Sequence, residues 1–465
     1  MERGGTQGIQ LIVQIVLARL LLPEDYGIIA LSTIFIALAN VFFQRGFNTA
    51  LIQKKDANEI DFSSVFYLSL FVAGILYIVL FFAAPSMASF YGESQLIPVL
   101  RVLSVTLFLG AFNSIQNAVI ARRMQFKKLF FSSLGAILIS GTVGIVMAYA
   151  GFGVWALVGQ QITNKLLVTM ILWFTVKWRP RLLFSFEGVK GLFSYGWKLL
   201  ISSLIDTLYT NLRSLIIGKM YSSDMLAFYD RGKLFPTLIV ENINGSISSI
   251  LFPVLSANQD DRNRVKGIVR RSIVTSSFVI FPAMIGLAVC AEPLVKILLT
   301  DKWLPCVPFL QIYCVSYALW PIHTANLQAI NALGRSDISL KLEIIKKVFG
   351  LAILGVTIFY GVYAIALGEI ISGLISTVIN AYPNRKLFNY SYKEQLKDII
   401  SLLLLSLVVG AVVYSIQWFG MTVWTTLIIQ VCVGFVLYAG MARIFKLECF
   451  NYLVMTIKQI VIKTK

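Results

Sequence analysis

Apolar runs of about 20 residues recur along the whole of this 465-residue chain, and they constrain its fold more than any other feature. A helix needs about 20 apolar residues to cross a bilayer, and only helices and closed barrels satisfy their backbone hydrogen bonds inside one. Hydrophobic residues make up 58% of the chain and charged residues only 13%, which is low for a soluble domain. The pattern predicts an all-α polytopic membrane protein.

The apolar runs predict fourteen membrane spans. Their approximate bounds are 8–22, 27–53, 62–84, 98–121, 129–150, 153–176, 192–217, 227–256, 268–290, 304–332, 339–359, 361–382, 398–416 and 422–443. The first run is short for a span, so we expect the first helix to be clipped at its start. The connections are too short for an extramembrane domain, so function is expected within the helices or at their ends.

The basic residues that give the chain a net charge of +18 cluster in every second connection. The Lys54–Lys55 pair, residues 122–128 and residues 262–271 are examples. By the positive-inside rule, both termini are expected in the cytoplasm. A nucleic-acid partner is not predicted, because it would require these residues on one soluble face. Residues 449–465 resemble an amphipathic tail at the membrane surface.

Signatures of catalysis and of metal binding are absent from the sequence. The five cysteines show no paired spacing, so neither a disulfide framework nor a zinc site is predicted. The HExxH, GxSxG and phosphate-binding GxxxxGK[ST] motifs are also missing. We therefore predict a transporter rather than an enzyme, without a bound cofactor or metal.

An internal repeat is visible at offsets between 200 and 210 along the chain. Three matches in order carry it: Ala18–Ala30 with Gly218–Asp230, Pro98–Leu103 with Pro308–Tyr313, and Gly153–Leu157 with Gly361–Ile365. The repeat predicts two six-helix lobes related by a pseudo-two-fold axis along the membrane normal, with substrate bound between them. The predicted bounds are 1–180 and 181–390 for the lobes, and 391–465 for two additional helices with a basic tail.

Polar side chains inside the spans are the candidate binding residues, because a polar group in lipid is costly and usually faces a cavity or a partner. Asn113 and Gln116 share one face of the fourth span, and at an offset of 210 they match His323 and Asn326. This matching stripe favours a water-filled cavity, with hydrogen bonding between helices as the alternative. For His323, the only histidine, a hydrogen-bonded structural role is favoured over a proton relay.

Charged residues in the spans complete the candidate set. They are Arg19, Arg45, Lys165, Asp206, Arg213, Glu241 and Glu369. Charges paired inside the helix bundle are the structural alternative, but their presence on several helices favours a solvated path for a polar substrate.

Five stretches carry a family resemblance: "VQIVLARLLLPEDYGIIAL", "GFNTALIQKKD", "YGWKLLISSLIDTLYTNLRSLIIGK", "NINGSISSILFPVLS" and "WPIHTANLQAINALGRSD". They are similar to polysaccharide flippases of the Wzx/WzxC type, a branch of the multidrug/oligosaccharidyl-lipid/polysaccharide exporter superfamily. The resemblance covers almost the whole chain, in order.

The resemblance implies two six-helix lobes around a central cationic cavity, followed by two extra helices. It implies transport of undecaprenyl-pyrophosphate-linked oligosaccharide from the cytoplasmic to the outer leaflet of the bacterial cytoplasmic membrane, by alternating access. The lipid tail would stay in the bilayer. Coupling to a proton or sodium gradient, and partnership with other membrane proteins of polysaccharide assembly, are further implications.

The pair Gln44–Arg45 departs from the resemblance, because this branch commonly has an acidic residue followed by a small one before "GF". At an offset of 200 this polar stretch matches the polar, glycine-bearing residues 243–246. One hypothesis is that Arg45 faces the cavity and receives the pyrophosphate, since a guanidinium fits phosphate oxygens. The alternatives are snorkelling towards the cytoplasm or an internal ion pair.

Two other functions compete with the flippase interpretation. A drug antiporter of the same fold would predict an acidic membrane pocket, whereas the charges inside these spans have mixed signs. A membrane-embedded glycan polymerase or ligase would normally carry a large outward loop with catalytic groups, and the sequence has none.

Overall fold

The computed structural model describes residues 2–43, 51–52, 58–451 and 455. This part of the chain is helical, with short 3₁₀ turns and no strand. Its contacts define two compact units, Met1–Ala227 and Phe228–Lys465. The lobe bounds expected at residues 180 and 390 stay a prediction.

Eight of the α-helices that the structure describes lie wholly in the first unit. They are α1 (Glu2–Leu20), α2 (Pro23–Val41), α3 (Glu59–Tyr91), α4 (Leu96–Leu103), α5 (Thr106–Arg122), α6 (Phe126–Tyr149), α7 (Val154–Thr175) and α8 (Phe186–Met220). Helix α9 (Ser223–Ser256) begins in the first unit and continues into the second.

The remaining described helices lie in the second unit. They are α10 (Arg262–Val289), α11 (Ala291–Leu298), α12 (Val307–Ala318), α13 (Trp320–Ala332), α14 (Ser336–Thr357), α15 (Val362–Ala381), α16 (Asn384–Phe388), α17 (Tyr392–Ser415) and α18 (Val423–Ile444). A 3₁₀ turn at Asp301–Cys306 leads into α12, so these two elements and α13 continue one another.

Ten helical segments among the described residues are long and apolar enough to cross a membrane. The helices α1, α7, α8 and α14 are also long, at 19 to 35 residues, but carry more polar side chains. Together these segments are consistent with the fourteen predicted spans. The chain is a multi-pass α-helical membrane protein, as its apolar runs predict.

Local sequence signals set the ends of individual helices. At the start of α3, the Asn58 side chain accepts from the Asp61 backbone N–H at 2.9 Å, and the Asp61 side chain accepts from the Asn58 N–H at 3.1 Å. This capping box satisfies donors that the first helical turn leaves open. The helix ends at Gly92, whose φ of 75° suits a residue without a Cβ.

The bounds of the described helices agree with the predicted internal repeat. Helices α2, α6 and α7 correspond to α9, α14 and α15, which begin at the offsets of 200 to 210 that the repeat predicts. Backbone breaks with positive φ recur at offsets of the same size: Gly92 with Thr300, Met124 with Gly334, and Gly153 with Gly361. The two halves of the sequence therefore use the same order of helices and turns.

A buried cluster at one end of the first unit holds α3, α5 and α7 together. Phe66 contacts the rings of Phe112, Trp173 and Trp178, with centroids 5.7 to 6.1 Å apart. Edge-on and tilted aromatic pairs of this kind add to the stability of apolar burial. This packing fixes the helices that carry the polar groups described next.

Candidate functional site

The polar stripe of the first unit connects helices of that unit. The amide of Asn113 on α5 donates to Thr169 Oγ1 on α7 at 2.8 Å. One turn further along α5, the Gln116 amide donates to the Trp178 carbonyl at 3.4 Å. Both side chains are buried, and their amide oxygens accept no hydrogen bond from the described residues. The contacts favour a role in joining helices and leave two buried acceptors on the α5 face.

The matching stripe of the second unit repeats the first contact. His323 Nε2 on α13 lies 3.3 Å from Thr377 Oγ1 on α15, and His323 Nδ1 lies 3.1 Å from the Asn380 side chain. Thr377 and Thr169 correspond in the repeat, so both units use a threonine of the equivalent helix as the partner. Both ring nitrogens are therefore engaged, which is the arrangement of a hydrogen-bonded histidine in an interior.

Asn326, one turn beyond His323, is the centre of a buried amide network. Its side-chain amide donates to Gln395 Oε1 at 2.9 Å, and its oxygen accepts from the Asn384 amide at 2.7 Å. All three side chains are at most 1% exposed. The network connects α13 to α16 and α17, and a low-dielectric surrounding strengthens such bonds.

A second polar centre surrounds Lys233, near the start of α9. Its ammonium lies 3.8 Å from the Tyr229 ring centroid and 5.3 Å from that of Tyr313, both within cation–π range. Asp230 Oδ1 lies 3.4 Å away, and Glu369 of α15 adds a second carboxylate that attracts the ammonium. We call these five residues the Lys233 cluster.

The burial of the Lys233 cluster is graded. Tyr229 and Tyr313 are fully buried, while the side chains of Lys233 and Asp230 are 23% and 35% exposed. Two fully buried rings thus pack against a partly exposed ion pair, which other charged groups can approach. Such a site can respond to a change in nearby charge.

Gly232 lets α9 approach α12 closely enough to form the Lys233 cluster. A Cβ at this position would lie 2.6 Å from Phe309 Cβ and 2.9 Å from the Leu310 backbone nitrogen. Any other residue must push the two helices apart, because backbone atoms cannot rotate out of the way. The next residue back, Arg231, is buried with its guanidinium 5.1 Å from the Trp303 ring.

The other predicted site residues have different environments. Arg213 on α8 is buried, whereas the side chains with exposed surfaces are those of Arg19, Lys165, Asp206 and Glu241. His323 and Asn326 lie one turn apart on α13 and bond to different side chains, whereas Glu369 on α15 belongs to the Lys233 cluster. Arg45 and its neighbours lie outside the described residues, so the hypothesis about its role stays a prediction.

Sequence reasoning missed Lys233, Asp230 and the two tyrosines. The predicted span begins at residue 227, and the charged residues at 230–233 are not among its candidates. Helix α9 instead begins at Ser223. The available signal was the run "YDRGK", which puts three ionisable residues within four positions of an otherwise apolar helix.

The fold defines the class of protein. The structure matches the lipid II flippase MurJ in an inward closed conformation with a TM-score of 0.77, at 18% identity, over 97% of this chain and 98% of that one. It also matches an inward-facing multidrug resistance MATE family transporter of the MOP superfamily, with a TM-score of 0.62 at 16% identity, over 82% and 94% of the two chains. The chain therefore has the fold of the MOP superfamily.

The family follows from the sequence. The model of the family described as polysaccharide biosynthesis protein matches residues 16–308, and the chain belongs to that family. It is 24% identical to the teichuronic acid biosynthesis protein TuaB of Bacillus subtilis, over 86% of this chain and 84% of the relative. It is 23% identical to the lipopolysaccharide biosynthesis protein WzxC of Escherichia coli, over 88% and 84%.

A third relative is the succinoglycan biosynthesis transport protein ExoT of Rhizobium meliloti, 22% identical over 73% of this chain and 68% of the relative. The three names refer to three different polymers. The resemblance to polysaccharide flippases expected from the sequence is confirmed at the level of family and fold.

Proposed function

We propose that this protein is a flippase that moves undecaprenyl-pyrophosphate-linked oligosaccharide to the outer leaflet of the bacterial cytoplasmic membrane. The observation that carries the proposal is its membership of the polysaccharide biosynthesis family together with relatives that match most of its length. Those relatives serve different polymers, so the step they would share is transport of a lipid-linked precursor. The lipid II flippase fold supports the same type of cargo.

The polar groups inside the spans suit that cargo. A hydroxyl-rich glycan and a diphosphate lose hydrogen bonds to water in hydrocarbon, at a cost of several kcal/mol per unpaired group. The buried amides around Asn326 and the ionisable groups around Lys233 are examples of polar chemistry that the helices of this protein already hold. Alternating access by two repeated lobes would expose such a path to each side in turn.

Ion coupling is part of the proposal. An ionisable group inside a membrane helix is the usual place where a proton or sodium gradient acts on a transporter. The Lys233 cluster supplies both signs of charge at one point of the second unit. We expect ionophores that dissipate the proton or the sodium gradient to slow transport in membrane vesicles, which would also identify the ion.

The direct test is deletion of the gene in its host. We expect lipid-linked oligosaccharide to accumulate where glycosidases added outside the cell cannot reach it. A strain lacking the glycan polymerase is the matched control, because its precursor should accumulate within reach. Normal exposure of the precursor in a deletion strain with no second exporter would contradict the proposal. Normal exposure combined with new drug sensitivity would favour an antiporter.

Orientation and partners can be tested in the same host. We expect both termini in the cytoplasm, so a reporter that is active only outside should stay silent when fused to the C-terminus. Other membrane proteins of polysaccharide assembly are the expected partners, and crosslinking in intact cells should recover them.

A further inference from the structure

The connection between α7 and α8, residues 176–185, carries large apolar side chains that the protein does not cover. Leu182 is 94% exposed, Phe184 is 55% exposed, and Phe186, the first residue of α8, is 75% exposed. We call these three side chains the apolar tip. A single exposed leucine or phenylalanine is ordinary, but three within five residues form a patch of the kind that marks a contact surface.

Buried contacts fix the backbone of this connection to the first unit. Trp178, near its start, is buried. The backbone N–H of Arg181 donates to Ser63 Oγ at 3.0 Å, and the backbone N–H of Ser185 donates to Ser64 Oγ at 2.9 Å. Both serines are fully buried on α3. The apolar tip therefore projects from a backbone that is held in place on both sides of it.

The equivalent connection of the second unit, which follows α15, covers its aromatic side chains. Phe388 and Tyr390 are 1% and 0% exposed. Helix α16, which carries Phe388, packs against α10, α13 and α15, and the Tyr390 hydroxyl donates to Asp398 of α17 at 2.8 Å. Both units thus place large apolar side chains at this connection, but the described helices cover only those of the second unit. The apolar tip of the first unit needs another partner.

Basic side chains surround the apolar tip. Lys177, Arg181 and Lys190 are exposed, and their side chains pair with no carboxylate of the described residues. Arg179 instead donates to backbone carbonyls at the end of α7. Glu187 is the one acidic residue between positions 176 and 190 of the sequence. Apolar side chains flanked by cations are typical of a segment that lies on an anionic membrane surface.

The backbone of the connection determines how deep it can lie. Residues 176–185 are not helical, and irregular backbone exposed to lipid does not occur in the hydrocarbon core, because its polar groups would lack partners. The connection must therefore lie at the level of the head groups, where water is present. Its basic residues place it on the expected cytoplasmic side, where anionic lipids are concentrated.

We propose that the apolar tip inserts into the cytoplasmic leaflet at the level of the lipid head groups. Lys177, Arg181 and Lys190 contact the phosphates of anionic lipids around it. The partner of this connection is the bilayer surface. The inference goes beyond the proposed flippase function, because it concerns the surrounding bilayer rather than the transported glycolipid.

The test uses the full chain in liposomes of equal parts phosphatidylglycerol and phosphatidylcholine. The photoreactive residue p-benzoylphenylalanine replaces Leu182, Phe184 or Phe186 in turn, and mass spectrometry identifies the adducts. We expect lipid adducts at all three positions. Phe82, which is 74% exposed within the apolar helix α3, is the positive control. Asp260, exposed in the connection after α9, is the negative control and should give at least tenfold fewer lipid adducts.

A charge variant tests the contacts with the head groups. With the photoreactive residue at position 184, we expect adducts of phosphatidylglycerol to outnumber those of phosphatidylcholine at least threefold. The triple variant Lys177→Gln/Arg181→Gln/Lys190→Gln should reduce this ratio to about one. Arg262→Gln removes an exposed cation at the start of α10 and should leave the ratio unchanged. An unchanged ratio in the triple variant would overturn the assignment of the anionic lipid.

The remaining outcomes also decide the question. Adducts from the apolar tip to protein in place of lipid, within the chain or to a second copy, would overturn the proposal. So would lipid adducts at the tip that are no more frequent than at Asp260, when Phe82 gives them. Transport measured in the same liposomes separates this surface from the proposed function. Wild-type protein that transports glycolipid, combined with a tip that gives no lipid adducts, would reject the membrane contact alone.

Discussion

Thr33 and Lys233 lie at equivalent positions of the internal repeat, each at the same distance from the first residue of its helix. Thr33 donates to the Ile29 carbonyl of its own helix at 2.7 Å, beside the fully buried Leu31. Lys233 instead lies against two tyrosine rings and pairs with the Asp230 carboxylate. The two units thus share a backbone plan but differ in chemistry at this position.

The polar stripe on α5 and α13, in contrast, makes a similar contact in both units. Asn113 contacts Thr169 in the first unit, and His323 contacts Thr377 at the matching place in the second. A contact present in both units supports the common architecture, whereas one present in a single unit points to a task of that unit. We therefore expect changes to the Lys233 cluster to affect transport most.

The largest effect is expected for Lys233→Met. Removal of the ammonium leaves the Asp230 carboxylate without the cation that lies 3.4 Å from it, and an unpaired charge in a poorly solvated place is costly. We expect at least a hundredfold loss of transport, with unfolding easier by about 2 kcal/mol.

The matched control for this change is Thr33→Val, which removes only a bond within one helix and should alter unfolding by less than about 1 kcal/mol. Export assays in a deletion strain and thermal unfolding in detergent measure both variants. Equal effects of the two substitutions would remove the functional distinction between the units.

A smaller loss of transport is expected for Gly232→Val. The added side chain meets Phe309 and the Leu310 backbone, so α9 and α12 must separate at a cost of about 1–3 kcal/mol. Gly245→Ala is the control on the same helix, because a Cβ there meets no described atom within 4 Å. If the two variants are destabilised equally in thermal unfolding, the Lys233 cluster does not depend on the close approach of α9 and α12.

Asn326→Ala and Asn113→Ala compare the two stripes directly. Asn326 has two side-chain partners and Asn113 has one, and each buried bond in a membrane bundle contributes about 0.6 kcal/mol on average. We expect the Asn326 change to cost about twice as much free energy of unfolding. A larger loss of stability for Asn113→Ala would mean that the Asn113–Thr169 bond contributes more than the two bonds of Asn326.

The smallest effect is expected for His323→Asn, which places in the second unit the residue that the first unit uses. An asparagine retains one bond to Thr377, so the free energy of unfolding should fall by less than about 1 kcal/mol. Export by this variant should respond to pH as wild-type export does. A lost pH dependence would show that His323 carries a proton, and would overturn its assignment to the shared architecture.

The sequence was sufficient to predict the helical membrane class, and ten of the expected spans are long apolar helices among the described residues. Apolar runs show in the sequence without any knowledge of how the helices pack. The match of Asn113 with His323 was also visible, although the shared threonine partner was not, since it lies on another helix.

The Lys233 cluster could not be predicted because its members are distant in sequence. Lys233 lies on α9, Tyr313 on α12 and Glu369 on α15. Their convergence depends on how α12 packs against α9 and against α15, and on the absence of a side chain at Gly232. The sequence singled out Glu369, but not the Lys233 ammonium that its charge attracts.

The most direct test of the flippase proposal is transport by the purified protein in liposomes. The lipid would be a fluorescent oligosaccharide on polyprenyl diphosphate, with a membrane-impermeant quencher that reports the exposed fraction. We predict that wild-type protein exchanges the lipid between leaflets and that Lys233→Met slows exchange at least a hundredfold. Folded wild-type protein that exchanges the lipid no faster than protein-free liposomes, with either ion gradient imposed, would contradict the account.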